Sequence, residues 1–138
     1  MDKALNYLAL AKKGRLIELG EEPVGAITRA VKGRLVIVAA DASDHTWRRA
    51  KSFVAGTDQQ CLRVPFTKEE LGFVVGRTSL AIAAFTDAAM ALAFVKALPD
   101  QEKAKEVREN LEAKSKKLRQ RKDEAKAHER NVRLGKKK

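Results

Sequence analysis

Few residues of this 138-residue chain have the types and spacing that bond chemistry requires. Asp41, Asp44 and His45 make the only acid-histidine cluster. A metal ion or a general base would need these groups to converge. They follow directly on the apolar run Leu35 to Ala40, however, where capping a helix is the simpler use of an acid. Glu21 and Glu22, next to Pro23, read as first-turn acids favoured by a helix dipole rather than as a catalytic carboxylate pair. Cys61 is alone, so no internal disulfide forms, and its place in an apolar run reads as a small core hydrophobe in a reducing compartment. His128 lies in a charged segment with no evident partner. No phosphate-binding glycine loop, nucleophile elbow, zinc-protease helix or Cys/His zinc set occurs. The expectation is a non-enzymatic protein with no catalytic residue, no metal ligand and no cofactor.

What remains is cationic chemistry. The formal charge is +11 and the pI about 10.0, which makes polyanions the natural partners. Residues 101–138 hold 15 Lys/Arg against 7 Asp/Glu, a net +8, and leave +3 for residues 1–100. In that tail Lys114, Lys116, Lys117, Arg119, Arg121 and Lys122 are the expected phosphate contacts, with Lys136-Lys137-Lys138 beyond them. No aromatic residue accompanies them, so such contact would be salt-sensitive and poorly sequence-specific. Upstream, Gly25, Arg29 and Lys32 fall on one side of a helix at i,i+4 and i,i+3. There two cations could neutralise phosphates beside a backbone surface with no Cβ at its head. Arg77 sits in an irregular loop, Arg77-Thr78-Ser79, between a capped helix and a buried strand. Trp47, at helical spacing, is expected to pack in or at the edge of a core rather than to stack on a base.

The elements that must hold these residues follow from periodicity and punctuation. Ala4, Leu5, Leu8 and Ala9 mark a first helix with Lys12, Lys13 and Arg15 at its cation-favouring end and Gly14 as its stop. Leu16, Ile17 and Leu19 make a short extended piece. A second helix starts at Glu21, shows Val24, Ile27 and Val31 on one face, and closes at Gly33. The run 35–40 is apolar at every position, so it should be a central strand covered on both faces. Helices are expected from Asp44 to about Val54, from Lys68 to Val75 and from Thr86-Asp87 to Leu98. Strands are expected at 61–66 and 80–85. Thr67 and Glu70 have the capping-box spacing. Strand followed directly by helix, twice, implies an α/β layer fold. The compact domain is expected over 1–98. The remainder, 99–138, reads as a long basic helix with one sparse apolar column, Ala104, Leu111, Leu118, Ala125 and Val132.

In their order and spacing, Leu5 to Gly14, Thr28-Arg29-Ala30-Val31, Leu35 to Ser43, and Pro65 to Gly76 with its Glu70-Leu71-Gly72 resemble the large-subunit ribosomal protein L-seven-Ae family, in its small bacterial branch. The resemblance covers roughly residues 3–98. It implies a three-layer α/β/α sandwich with a four-stranded mixed sheet that binds structured RNA, typically a kinked duplex (kink-turn) with tandem sheared G·A pairs. It carries the family's helix-2 lysine onto Arg29, with Thr28 beside it, and the variable recognition loop onto Arg77-Thr78-Ser79. Two departures weaken kink reading: Gly25-Ala26 stands where strong kink binders have Asn-Glu, and Ala40 stands where an acid follows the central strand. The partner implied is RNA, ribosomal RNA first, with ribosomal proteins as neighbours. The domain is expected to be monomeric, cytoplasmic and without a membrane segment. The alternative is a protein-protein interaction module on the same fold that has lost kink-turn specificity.

Overall fold

The structure, a computed structural model, describes residues 2–117. Helices and strands alternate in the order α1 (Lys3–Lys13), β1 (Ile17–Leu19), α2 (Glu21–Arg29), β2 (Leu35–Val38), α3 (Asp44–Val54), β3 (Cys61–Arg63), α4 (Lys68–Val74), β4 (Ile82–Phe85) and α5 (Ala88–Lys96). A further helix, α6, covers residues 105–117. The strands form one mixed sheet in the order β1-β4-β2-β3. Only the β2–β3 pair is parallel, and Val36 lies opposite both Ala84 and Cys61. Helices α1, α4 and α5 pack together on one face, while α2 and α3 cover the other. Every residue of β2 and β4 is therefore buried, as their unbroken apolar sequences require. The tilted pair Phe85–Phe94, 5.1 Å between ring centroids, joins β4 to α5. The α/β/α sandwich with a four-stranded mixed sheet is the architecture read from the sequence.

Helix starts are written in single side chains. Asp2 accepts from Ala4 N at 2.8 Å to cap α1, and Asp87 accepts from Met90 N at 2.9 Å to cap α5. Thr67 and Glu70 form the complete reciprocal box on α4, at 3.1 and 3.0 Å. The cap of α3 differs from expectation. Ser43, not Asp41, caps α3, while the Asp41 carboxylate reaches across 27 residues to accept the Lys68 N–H at 2.7 Å. That bond stitches the end of β2 to the first turn of α4.

Helix ends are less obvious in the sequence. At the end of α2, Val31 N donates to Thr28 O and Lys32 N to Ile27 O, each at 3.0 Å, with Val31 at φ 56°. At the end of α1, Arg15 N donates to Lys12 O and Leu16 N to Ala11 O, with Arg15 at φ 59°. Both are Schellman closures in which the left-handed position belongs to a residue other than glycine. Gly14 and Gly33, the expected stops, stand near these positions. After α4 the left-handed position belongs to glycine, Gly76 at φ 77°, and Gly56 at φ 74° follows the C-cap of α3.

The core does not end at Leu98. Ala104, Val107 and Leu111 are buried in the same apolar cluster as the sheet. The turn before α6 is fastened by Gln101, whose Nε2 donates to Leu98 O at 2.6 Å and Val95 O at 3.0 Å, while its Oε1 accepts from Arg108 at 2.6 Å. Leu62, Arg63 and Pro65 line a cavity of about 100 Å³ together with Leu98, Asp100, Lys103 and Ala104, so α6 begins alongside β3. The packed unit thus runs at least to Leu111, past the boundary expected at 98. Leu118, Ala125 and Val132 lie outside the described residues. Among the described residues, no helix is long and apolar enough to cross a membrane.

Candidate nucleic-acid interface

Three connections meet at one end of α2: the α1–β1 turn, the β1–α2 junction and the loop after α4. Gly20 opens α2 at φ 95° with no side-chain cap, and a Cβ placed there would lie 3.6 Å from the Arg77 guanidinium. Arg77 therefore lies over the N-terminus of α2. It shares a shallow depression of about 500 Å³ with Lys12, Arg15, Glu18 and Pro23. Three cations gather here round Glu18 and a helix N-terminus whose first turn carries Glu21 and Glu22, and the cations with the helix dipole favour an anionic ligand. The sequence gives no sign that Lys12 and Arg15 contribute here, since both read only as cations suiting the end of α1. The left-handed turn at Arg15 folds that end back toward Arg77, with Gly14 beside it marking the helix stop but not the left-handed residue.

The loop Arg77-Thr78-Ser79 is exposed and held by backbone. Arg77 N donates to Gly72 O at 2.8 Å, and Leu80 N donates to Lys68 O at 2.9 Å. Gly72 makes this closeness possible, because a Cβ there would stand 2.8 Å from Arg77 O and 2.8 Å from Ser79 Cα. A side chain at position 72 would push the loop off α4.

Along α2, the expected contacts separate. Arg29 and Lys32 are exposed. Gly25 and Thr28 are buried, which corrects their assignment as RNA contacts. A Cβ at Gly25 would lie 3.2 Å from both Phe53 Cε1 and Arg29 Nη1, so the missing side chain makes room for Phe53 of α3, not for a ligand. Thr28 is 2% exposed, and its hydroxyl donates within the helix to Val24 O at 2.9 Å and Gly25 O at 3.0 Å. Glu21, which would repel a phosphate at this end, is held by Arg49 of α3 at 2.6 Å. An exposed pair of this kind adds little stability, about 0–1 kcal/mol, but it does neutralise the acid.

In the tail, Lys116 and Lys117 are exposed, whereas Lys114 is engaged: its Nζ lies 3.0 Å from Asp58 O and 3.5 Å from Asp58 Oδ2. Lys114 thereby ties α6 to the α3–β3 connection. Arg119, Arg121 and Lys122 lie outside the described residues. Glu112 pairs with Arg108 at 4.0 Å and Lys96 at 3.9 Å.

The other groups with chemical potential are dispersed. Asp41 and Ser43 serve as caps, and Asp44 and His45 are exposed on the first turn of α3. No three His, Cys, Asp or Glu side chains gather as a metal site among the described residues. Burial pushes the Cys61 thiol above its ordinary value, opposed by the nearby Lys51 ammonium.

Fold and site together define an α/β/α domain with a cationic end. No protein-family model matches the chain, and no curated protein matches it in sequence. Solved structures do share its fold. A protein of unknown function from Bacillus halodurans is 23% identical with a TM-score of 0.66, the match covering 72% of this chain and 100% of that one. The Giardia lamblia 15.5 kD RNA-binding protein is 17% identical with a TM-score of 0.57, covering 69% of this chain and 81% of that one.

Proposed function

We propose that this chain is a non-enzymatic RNA-binding protein of the L-seven-Ae type, associated with the ribosome, whose cationic end grips structured RNA while the basic tail adds phosphate contacts. The observation that carries the reading is the position of Arg77 over the open N-terminus of α2, beside Lys12 and Arg15. The fold shared with the Giardia RNA-binding protein supports it. Ribosomal RNA is the first-choice ligand. Gly25 and Ala26 give α2 no Asn-Glu pair for G·A edges and leave Arg29 as its exposed donor, so the site favours backbone and shape over base reading. The test is an RNA titration with the full chain and with Arg77→Glu and Arg29→Glu. Binding of ribosomal RNA that weakens at least tenfold in each variant is expected. Absence of RNA binding at low salt, together with absence from ribosomal particles on gradients, would reject the reading.

A second reading, a protein-interaction module, is favoured by Phe73. This side chain of α4 is 76% exposed and borders an open groove with Leu5, Val74, Asp2, Glu69 and Glu70. Exposed aromatics beside acids suit a basic protein segment better than RNA. In-cell crosslinking separates the two: RNA adducts lost in Arg77→Glu support the first, and protein adducts lost in Phe73→Ser support the second.

A further inference from the structure

Trp47 on α3 is half-buried and bracketed by cations from two elements. The Arg63 guanidinium of β3 stands 5.2 Å from the centre of its ring, and the Lys51 ammonium, one helical turn on, stands 5.7 Å away. Neither cation takes part in an ion pair among the described residues, so their charge is free to meet a ligand. Arg63 gives one N–H to Ala40 O at 3.3 Å and keeps the rest of its donor fork. A cation resting on an aromatic face has already lost much of its rotamer freedom, so a phosphate that binds it orders little more.

The position of this cluster relates it to the cationic end. Helix α3 packs beside α2, and Phe53 fills the seam between them. Arg49 lies 5.1 Å from the Phe53 ring, and Arg29 approaches Gly25 from the same side as that ring. Cations therefore continue from Arg29 across the seam to Arg49, and on to Lys51 and Arg63 around Trp47. The acids facing this stretch are few. Glu21 is held by Arg49, the Asp41 carboxylate by the Lys68 N–H and Asp58 by Lys114, while Asp44 at the start of α3 and Glu22 in the first turn of α2 are in no ion pair among the described residues.

We propose that Lys51 and Arg63, braced on Trp47, form a second phosphate-binding point, so that an RNA held at Arg77 and Arg29 passes over α3. This inference rests on the RNA reading above and assigns the α3–β3 surface a role of its own. The ligand group is the phosphate of an RNA backbone. The site offers charge and a fixed spacing, with no paired donors and acceptors for a base edge, so it adds affinity without sequence preference.

Trp47 is the chain's only tryptophan, so its emission reports on this surface alone. The experiment titrates the full-length protein with ribosomal RNA and with poly-U over a range of salt, following both binding and Trp47 emission. RNA is expected to change the emission of the wild-type protein. In the double variant Lys51→Gln/Arg63→Gln the slope of log affinity against log salt should shrink by about 1.5 units, at roughly 0.7–0.9 for each phosphate no longer neutralised. Arg29→Gln/Arg77→Gln should weaken binding yet retain the emission change at saturating RNA. Wild-type protein that binds RNA with unaltered Trp47 emission, or a double variant of unchanged melting temperature with an undiminished slope, would overturn the second site while leaving the first standing. Failure of the wild-type protein to bind either RNA would remove the RNA reading itself. Protein rather than RNA adducts from a photocrosslinker at position 63 would overturn the site in favour of a protein contact.

Discussion

Gln59 and Gly33, 26 residues apart, are joined by a buried hydrogen bond in which Gly33 N donates to Gln59 Oε1 at 2.8 Å. The same amide donates through Nε2 to Thr28 O at 3.0 Å and to Thr57 Oγ1 at 3.1 Å. One side chain thus fastens the end of α2 and the strand-ward chain after it to the turn before β3. Gln59→Ala leaves the Gly33 N–H buried and unmet and takes one of two donors from Thr28 O, which keeps the Val31 N–H, and should cost about 1–3 kcal/mol. Urea unfolding measures it; a change below about 0.5 kcal/mol would mean that other groups or water take over these bonds.

Val31 holds a left-handed backbone next to the exposed Arg29 and Lys32 while being 49% exposed. A β-branched residue is strained there, by about 1–2 kcal/mol, against the roughly 0.5–1 kcal/mol of extra freedom that glycine loses on folding. Val31→Gly should therefore stabilise the protein by about 0.5–1 kcal/mol. A lowered denaturation midpoint would show that packing of the valine outweighs its strain.

Gly72→Ala tests how the 77–79 loop is held. The added methyl meets backbone at 2.8 Å, which cannot rotate away as a side-chain tip can. A stability loss of about 1–3 kcal/mol is expected. RNA affinity should fall as far as in Arg77→Gln, because the same guanidinium is displaced. Titration of the folded variant at low temperature would detect affinity that survives intact, which would detach the loop from RNA binding.

Truncation distinguishes the root of the tail from its remainder. Removing residues 101–138 takes Ala104, Val107 and Leu111 out of the core, and should unfold or strongly destabilise the chain. Leu111→Ala alone should cost about 2–5 kcal/mol. Removing residues 118–138 should leave the melting temperature nearly unchanged while lowering the salt slope of RNA binding. A chain ending at residue 100 that melts like the full protein would show that α6 contributes no core.

Cys61 links stability to alkaline pH. Its thiol is raised from 9.0 by burial, so the folded protein retains a proton that the unfolded chain releases. Its contribution is complete below 9.0 and is lost as pH climbs through the folded thiol's higher value. Wild-type stability should therefore decline above pH 9.0 more steeply than that of Cys61→Ala. Parallel profiles would indicate that the thiol is effectively solvated.

The layer fold is legible in the sequence because β2 and β4 are apolar at every position and each strand leads promptly to a cap such as Ser43 or Asp87. Such signals are local. The site is legible only in part. Arg29, Lys32 and the 77–79 loop stand out by type and position, but Gly25 and Thr28 look equally open to a ligand, because helical spacing alone does not say what lies opposite. The answer, Phe53, comes from a helix nearly thirty residues on. Lys12 and Arg15 are hidden for the converse reason, since an arginine in a left-handed turn carries none of the punctuation that glycine would. Lys114 gives no sign of its partner, Asp58, which lies 56 residues earlier in the chain.

The burial of Leu111 also bears on biosynthesis. Chains are made from the N-terminus, and β3, a three-residue strand with β2 as its sole neighbour, is in place long before the helix that begins beside it. Until residue 111 has left the exit tunnel the nascent domain lacks its last core side chains, and a strand edge is open to pairing with other chains. The segment richest in positive charge therefore leaves the tunnel only after the helix that supplies these late core side chains.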